Sequence, residues 1–113
     1  MSKASAWMAK RGISQRTLDH FGVLVGDDVI TYPYFDWNGD RVGAKHRGPN
    51  KKIWSDTGSR QILYAQIEAL QSDKPLVIVE GEQDALAVYE AGYFAVASVP
   101  NGAPDKAGNL GRY

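Results

Sequence analysis

Glu80 and Asp84 stand four residues apart in L-V-I-V-E-G-E-Q-D-A, Leu76 to Ala85, directly after a run of apolar residues. Two carboxylates at that spacing can offer oxygen ligands to one divalent cation, and Glu80 can alternatively act as a general base. The geometry requires Glu80 to close a strand, Gly81 to make the turn, and Asp84 to fall in the first turn of the next helix. Ligands of open α/β sheets gather at that carboxyl edge. Gly81 allows backbone angles closed to other residues and lets a phosphate or metal approach the main chain. A helix dipole alone favours acids in a first turn by about 0.3–1 kcal/mol each. That is reason enough for Glu82, whereas Glu80 at a strand end calls for a further one.

A second cluster is basic. No acid lies between Arg41 and Ser55, a stretch that holds Arg41, Lys45, Arg47, Lys51 and Lys52. Residues 1–60 carry ten Lys/Arg against six Asp/Glu, and residues 61–113 carry three against seven, although the formal net charge is zero. A polyanion and a metal can therefore be held by different halves, the alternative being ordinary solvated surface charge. Trp37 and Trp54 flank the cluster; they are expected first as core residues and second as stacking faces. His20 and His46 have no histidine or cysteine at ligand spacing and are not expected to bind metal.

The elements that must position these groups follow from pattern. Ala4–Lys10 reads as a short helix before Gly12. Ser14 is an N-cap, with Ile13 and Leu18 as a hydrophobic staple, for a helix ending at Gly22. Val29–Phe35 and Arg41–His46 read as a hairpin around Asn38-Gly39, a type I′ pair, with Pro33 marking the first strand as an edge or a break. Ile53-Trp54 adds a third strand. Leu63, Ile67 and Leu70 predict a helix over 62–71. Leu76–Val79 predicts a strand covered on both faces. Glu82–Glu90, Gly92 as its cap and Phe94–Val99 complete a right-handed βαβ unit with parallel strands.

The E-G-x-x-D pattern, followed by Gly92 and A-V-A-S-V-P-N-G at Ala95–Gly102, resembles the first half of a Toprim domain, the metal-binding core of DnaG-type primases, phage primase-helicases and topoisomerases. The preceding K-R-G-I-S-Q-R-T-L-D-H-F-G-V, Y-P-Y-F-D-W-N-G-D-R-V-G-A-K-H-R, K-K-I-W and L-Y-A-Q resemble the subdomain before Toprim in phage primase-helicases and the related mitochondrial helicase, so nearly the whole chain is covered. The resemblance implies an α/β fold: an α+β subdomain over 1–72, then an incomplete Toprim βαβ unit over 73–113. It implies catalytic support from Glu80, Mg²⁺ (or Mn²⁺) binding by Glu80 and Asp84, and phosphate binding by Lys45, Arg47, Lys51 and Lys52. Implied partners are a single-stranded DNA template, ribonucleotides, and the rest of a primase or a helicase, in the cytoplasm of a bacterium or phage-infected cell. The family's D-x-D motif does not follow. After Val99 the only acid is Asp105, so the chain by itself is expected not to polymerise. The competing readings are a non-catalytic nucleic-acid-binding module, a Toprim nuclease or recombination factor, and an unrelated α/β domain.

Composition narrows the class further. At 113 residues, 43% hydrophobic and 23% charged, the chain suits one folded domain. Without cysteine it has neither disulfides nor a cysteine-based zinc site. No stretch approaches the length of a membrane span or a signal peptide. Two parallel strands alone would leave an unpaired edge, so marginal stability or association through that edge is expected.

Overall fold

In the computed structural model, which describes residues 2–100 apart from the Leu70 side chain, serine caps set the first two helix starts. Ser2 accepts from the Ser5 amide at the head of α1 (Lys3–Lys10), and Ser14 accepts from the Thr17 amide at the head of α2 (Gln15–Phe21). α2 ends at Gly22, whose left-handed φ of 69° is the cap predicted from its sequence. Asn101-Gly102 of the Toprim-like pattern, and Asp105, lie outside the described residues.

Four antiparallel strands follow in the order β1 (Leu24–Val25), β2 (Ile30–Phe35), β3 (Arg41–Arg47) and β4 (Ile53–Ser55). β1 was not expected, and it makes β2 an interior strand that nonetheless contains Pro33. β1 pairs only with Ile30 and Thr31, while the backbone of Ala44, opposite Pro33, bonds away to Asp56 and Ser59. The missing proline N–H therefore falls past the end of β1, where no ladder bond is lost. The hairpin turn differs from the expected type I′. Gly39 N donates to Asp36 O, and Gly39 (φ 87°), but not Asn38, has positive φ. The buried Asp36 carboxylate decides this, accepting from the amides of Asn38 (2.9 Å) and Asp40 (3.1 Å).

The second sheet pairs β5 (Val77–Val79) with β6 (Val96–Ser98) in parallel, joined by α4 (Glu82–Glu90). The helix expected over 62–71 shrinks to α3 (Gln66–Leu70). Tyr64 instead bonds Ser98 in both directions, N to O at 2.8 Å and O to N at 3.1 Å, and Ala65 takes a left-handed φ of 65°. Pairing with β6 outweighs the helical spacing of Leu63, Ile67 and Leu70.

One buried cluster runs through both sheets, from Ala4 and Met8 through Phe21, Ile30 and Tyr32 to Leu86 and Val96. Tyr64 sits at its centre, with ring centroids 6.1 Å from Phe21, 5.8 Å from Tyr32 and 5.1 Å from Tyr34. Polar staples bind the helices together. Ser14 and Thr17 of α2 donate to Glu90 of α4, which holds that carboxyl below its ordinary range, and His20 meets Glu68 of α3 at 2.8 Å. Among the described residues no helix is long and apolar enough to cross a membrane.

The expectation of a strand covered on both faces is corrected. Leu76, Val77, Ile78 and Phe94 are 46%, 39%, 39% and 53% exposed, because β5 is flanked by β6 alone among the described strands. An apolar edge of this kind invites pairing. Sedimentation velocity is expected to show concentration-dependent association, relieved in Ile78→Lys with a stability change of only about 0.5 kcal/mol. A monomer at all concentrations would contradict this.

Candidate active site

Glu80 leaves the carboxyl end of β5 and Gly81 forms the N-cap of α4, so Glu80 and Asp84 come to one cavity of about 540 Å³. Both are exposed, and neither has a hydrogen-bond or ion-pair partner among the described residues. Gly81 plays a different part from the one expected. Its φ of −127° is ordinary extended backbone, and a Cβ there would meet only the movable end of the Gln83 side chain, so nothing in the local geometry requires glycine.

Lys45, Arg47, Trp54 and Pro100 also line this cavity. The structure thus brings two of the four basic candidates to the acidic pair. Lys51 lines a separate cavity, which Arg47 also reaches, and Lys52 lies with its Nζ 5.4 Å from the Trp54 ring. Trp54 is held by a stack on His46 (centroids 5.3 Å apart) and passes close over Gly48, where a Cβ would meet its ring at 2.9 Å. His46 itself is engaged on both nitrogens, by Thr31 at 2.8 Å and Asp56 at 2.7 Å. Neither Trp37, 66% exposed at the hairpin tip, nor Trp54, 39% exposed, joins the core. Among the described residues no three His, Cys, Asp or Glu side chains converge as a metal cage.

Glu82 is the residue that sequence reasoning undervalued. It is 5% exposed, not a solvated dipole partner. Its Oε2 lies 2.7 Å from Lys45 Nζ and accepts a hydrogen bond from the Tyr34 hydroxyl, and Lys45 donates in turn to the Pro100 carbonyl. A signal was available: Glu82 shares the buried face of α4 with Ala85 and Leu86, at offsets of three and four. Lys45, expected as a phosphate ligand, therefore arrives with its charge already paired.

Burial pushes Tyr34, Tyr32 and Tyr64 far above the ordinary tyrosine range, and the negative charge of Glu82 adds to the effect on all three. A raised pKa in the folded chain means that stability is complete below the unfolded value of about 10 and is lost as pH rises beyond it. The loss should approach about 1.4 kcal/mol per pH unit for each tyrosine held neutral. Absorbance of the tyrosinate band against pH is expected to show these three of the six tyrosines titrating only as the chain unfolds. Independent titration of all six in a folded chain would exclude it. Glu82→Ala, which strands Lys45 in a buried position, should cost about 3–5 kcal/mol in denaturant unfolding, whereas Glu80→Ala should cost less than about 0.5 kcal/mol.

No family model matches the chain. It is 38% identical over 102 residues to a primase homolog protein of Arabidopsis thaliana, covering 88% of this chain and 30% of that protein. It is 38% identical over 104 residues to the chloroplastic/mitochondrial Twinkle homolog protein of the same plant, covering 88% of this chain and 14% of that one. The chain thus spans less than a third of these relatives. Among solved structures, the primase fragment of the bacteriophage T7 primase-helicase superposes with a TM-score of 0.68 at 31% identity, over 83% of this chain and 41% of that one. A DnaG primase catalytic domain solved with ssDNA shares the fold alone, with a TM-score of 0.64 at 19% identity over 88% of this chain and 48% of that one. In sequence the chain is related to part of these primase and Twinkle homologs and to the T7 primase fragment, and in fold to the N-terminal part of the catalytic core of DnaG-type primases.

Proposed function

We propose that this chain supplies the front of a DNA-replication primase core, from a primase or a primase-helicase, in which residues 1–72 hold nucleic acid and 73–113 begin a Toprim domain. The complete enzyme would join ribonucleotides on a single-stranded DNA template with Mg²⁺, in the cytoplasm of a bacterium or phage-infected cell. The observation that carries this reading is the cavity with two unpaired carboxylates at the end of a parallel strand and Arg47 in its lining. Such a cavity accepts a cation on one side and phosphate oxygens on the other.

The donor set suits Mg²⁺. Glu80 and Asp84 offer hard oxygen ligands, and Mg²⁺ is usually bound by one or two carboxylates while keeping several waters and substrate phosphates. When bound, the ion would supply neutralisation of phosphate charge. Glu80, exposed and unpaired, can also accept a proton from an attacking hydroxyl. Arg47 would orient phosphate by charge and hydrogen bonding, with Lys51 and Lys52 as further phosphate ligands along the same turn. Lys45 would serve mainly through Glu82, by holding α4 and with it Asp84 against β3. With two free carboxylates converging and no third among the described residues, this chain alone would bind without polymerising.

Mn²⁺, which is visible by electron paramagnetic resonance, is a direct probe. The purified chain should bind it weakly, and Glu80→Gln combined with Asp84→Asn should reduce affinity at least about tenfold. Asp19→Asn, an exposed acid on α2, should leave affinity unchanged. Equal Mn²⁺ binding by the double variant would exclude these two residues as the metal site.

A further inference from the structure

Glu80 and Asp84 are not alone in being left free in the acidic cavity. Gln83, in the first turn of α4, lines the same cavity and is half-buried, and its side-chain amide has no hydrogen-bond partner among the described residues. Its two neighbours part around it, Glu82 buried against Lys45 and Asp84 exposed. Partly burying a carboxamide without a partner is unfavourable. A free one beside two free carboxylates therefore calls for a ligand that can use it.

The amide has a definite resting place. A Cβ on residue 81 would stand 2.8 Å from Gln83 Nε2 and 3.1 Å from both Cδ and Oε1, so the whole carboxamide lies against the bare Cα of Gly81, one residue from Glu80. The backbone angles at 81 suit any residue, and an alanine there would be accommodated by displacing the Gln83 side chain. Glycine at this position thus matters to where the amide rests and not to the fold.

The chemistry of a carboxamide complements that of the two acids. A carboxylate only accepts hydrogen bonds, whereas an amide accepts through its oxygen and donates through its nitrogen. A divalent cation held by one or two carboxylates keeps several waters, and groups that hold such waters or orient the ligating carboxylates set metal affinity together with the ligands themselves. We infer that Gln83 is a positioning residue of the metal site, supporting the hydration of a divalent cation bound by Glu80 and Asp84, and that Gly81 keeps its amide in place. The inference rests on the primase reading given above. It adds a residue that the E-G-x-x-D pattern leaves unspecified.

The test is an electron paramagnetic resonance titration of Mn²⁺ on the full chain, with substitutions at both positions. Gln83→Met, similar in size but without an amide, should weaken Mn²⁺ binding about tenfold, the low end for a group that supports a metal ligand. Gln83→Glu, which keeps an oxygen at the same reach, should bind at least as tightly as the unaltered chain. Gly81→Ala should also weaken binding, and Gly81→Ala combined with Gln83→Met should bind no more weakly than Gln83→Met alone, because the amide that the methyl displaces is already gone. A general loosening of the helix start would not produce that coupling between the two positions. Unchanged affinity in Gln83→Met, or losses from the two substitutions that multiply, would overturn the inference. The primase reading would still stand if Glu80→Gln with Asp84→Asn lost the ion. Absence of Mn²⁺ binding by the unaltered chain would remove the metal site from that reading, and this inference with it.

Discussion

Glu82 holds together two sheets that share no ladder. From the first turn of α4 it accepts from Tyr34 on β2 and pairs with Lys45 on β3, while Lys45 reaches the carbonyl of Pro100 beyond β6. Removing two charges from water is expensive, and a buried pair often stabilises no more than well-packed apolar side chains would. Its effect lies in the alternatives it forbids. Any shift of α4 along β3, or any slip of the β5–β6 unit against the hairpin, leaves a carboxylate or an ammonium buried without a partner.

The same pairing decides the electrostatics of the cavity. Of the three acids at the head of α4 and the end of β5, one is neutralised by Lys45 from within the protein. Glu80 and Asp84 remain exposed and unpaired, and Arg47 is left, among the described residues lining the cavity, as the cation without an acid partner. A cavity with separate negative and positive sides is what binding a phosphate through a divalent ion requires. It comes from the way one lysine and one glutamate find each other, since a count of acids and bases along the chain predicts a larger basic patch and a larger acidic one.

Local chemistry was the most legible part of this chain. Ser14, Gly22 and the apolar pattern between them define α2, and the Leu76–Gly92 segment defines a strand, a turn and a helix, because caps and periodicity act over a few residues. Reading failed where a distant partner intervened. Leu63, Ile67 and Leu70 have helical spacing, yet Tyr64 pairs with Ser98, thirty-four positions away. Asn38-Gly39 favours a type I′ turn, but the carboxylate of Asp36 closes a different one. The apolar run at Leu76–Val79 reads as a doubly covered strand, though Leu76, Val77 and Ile78 stay partly exposed and only Val79 packs against the core.

The sequence by itself determined the order of elements apart from β1, the placing of Glu80 at a strand end with Asp84 in the first turn of the next helix, and the kinship with primases. Each depends on neighbours in the chain or on the succession of motifs. Only the tertiary structure decided which charges are free. It buried Glu82 with Lys45, kept Glu80 and Asp84 open, divided the basic residues between two cavities with Arg47 common to both, and brought Trp7 of the first helix and Arg11 at its end beside the turn after β3. The physical reason is that a charge acquires its role from what surrounds it in space, and the partners that set these roles, Glu82 for Lys45 and Trp7 for Arg47, lie 37 and 40 residues away along the chain.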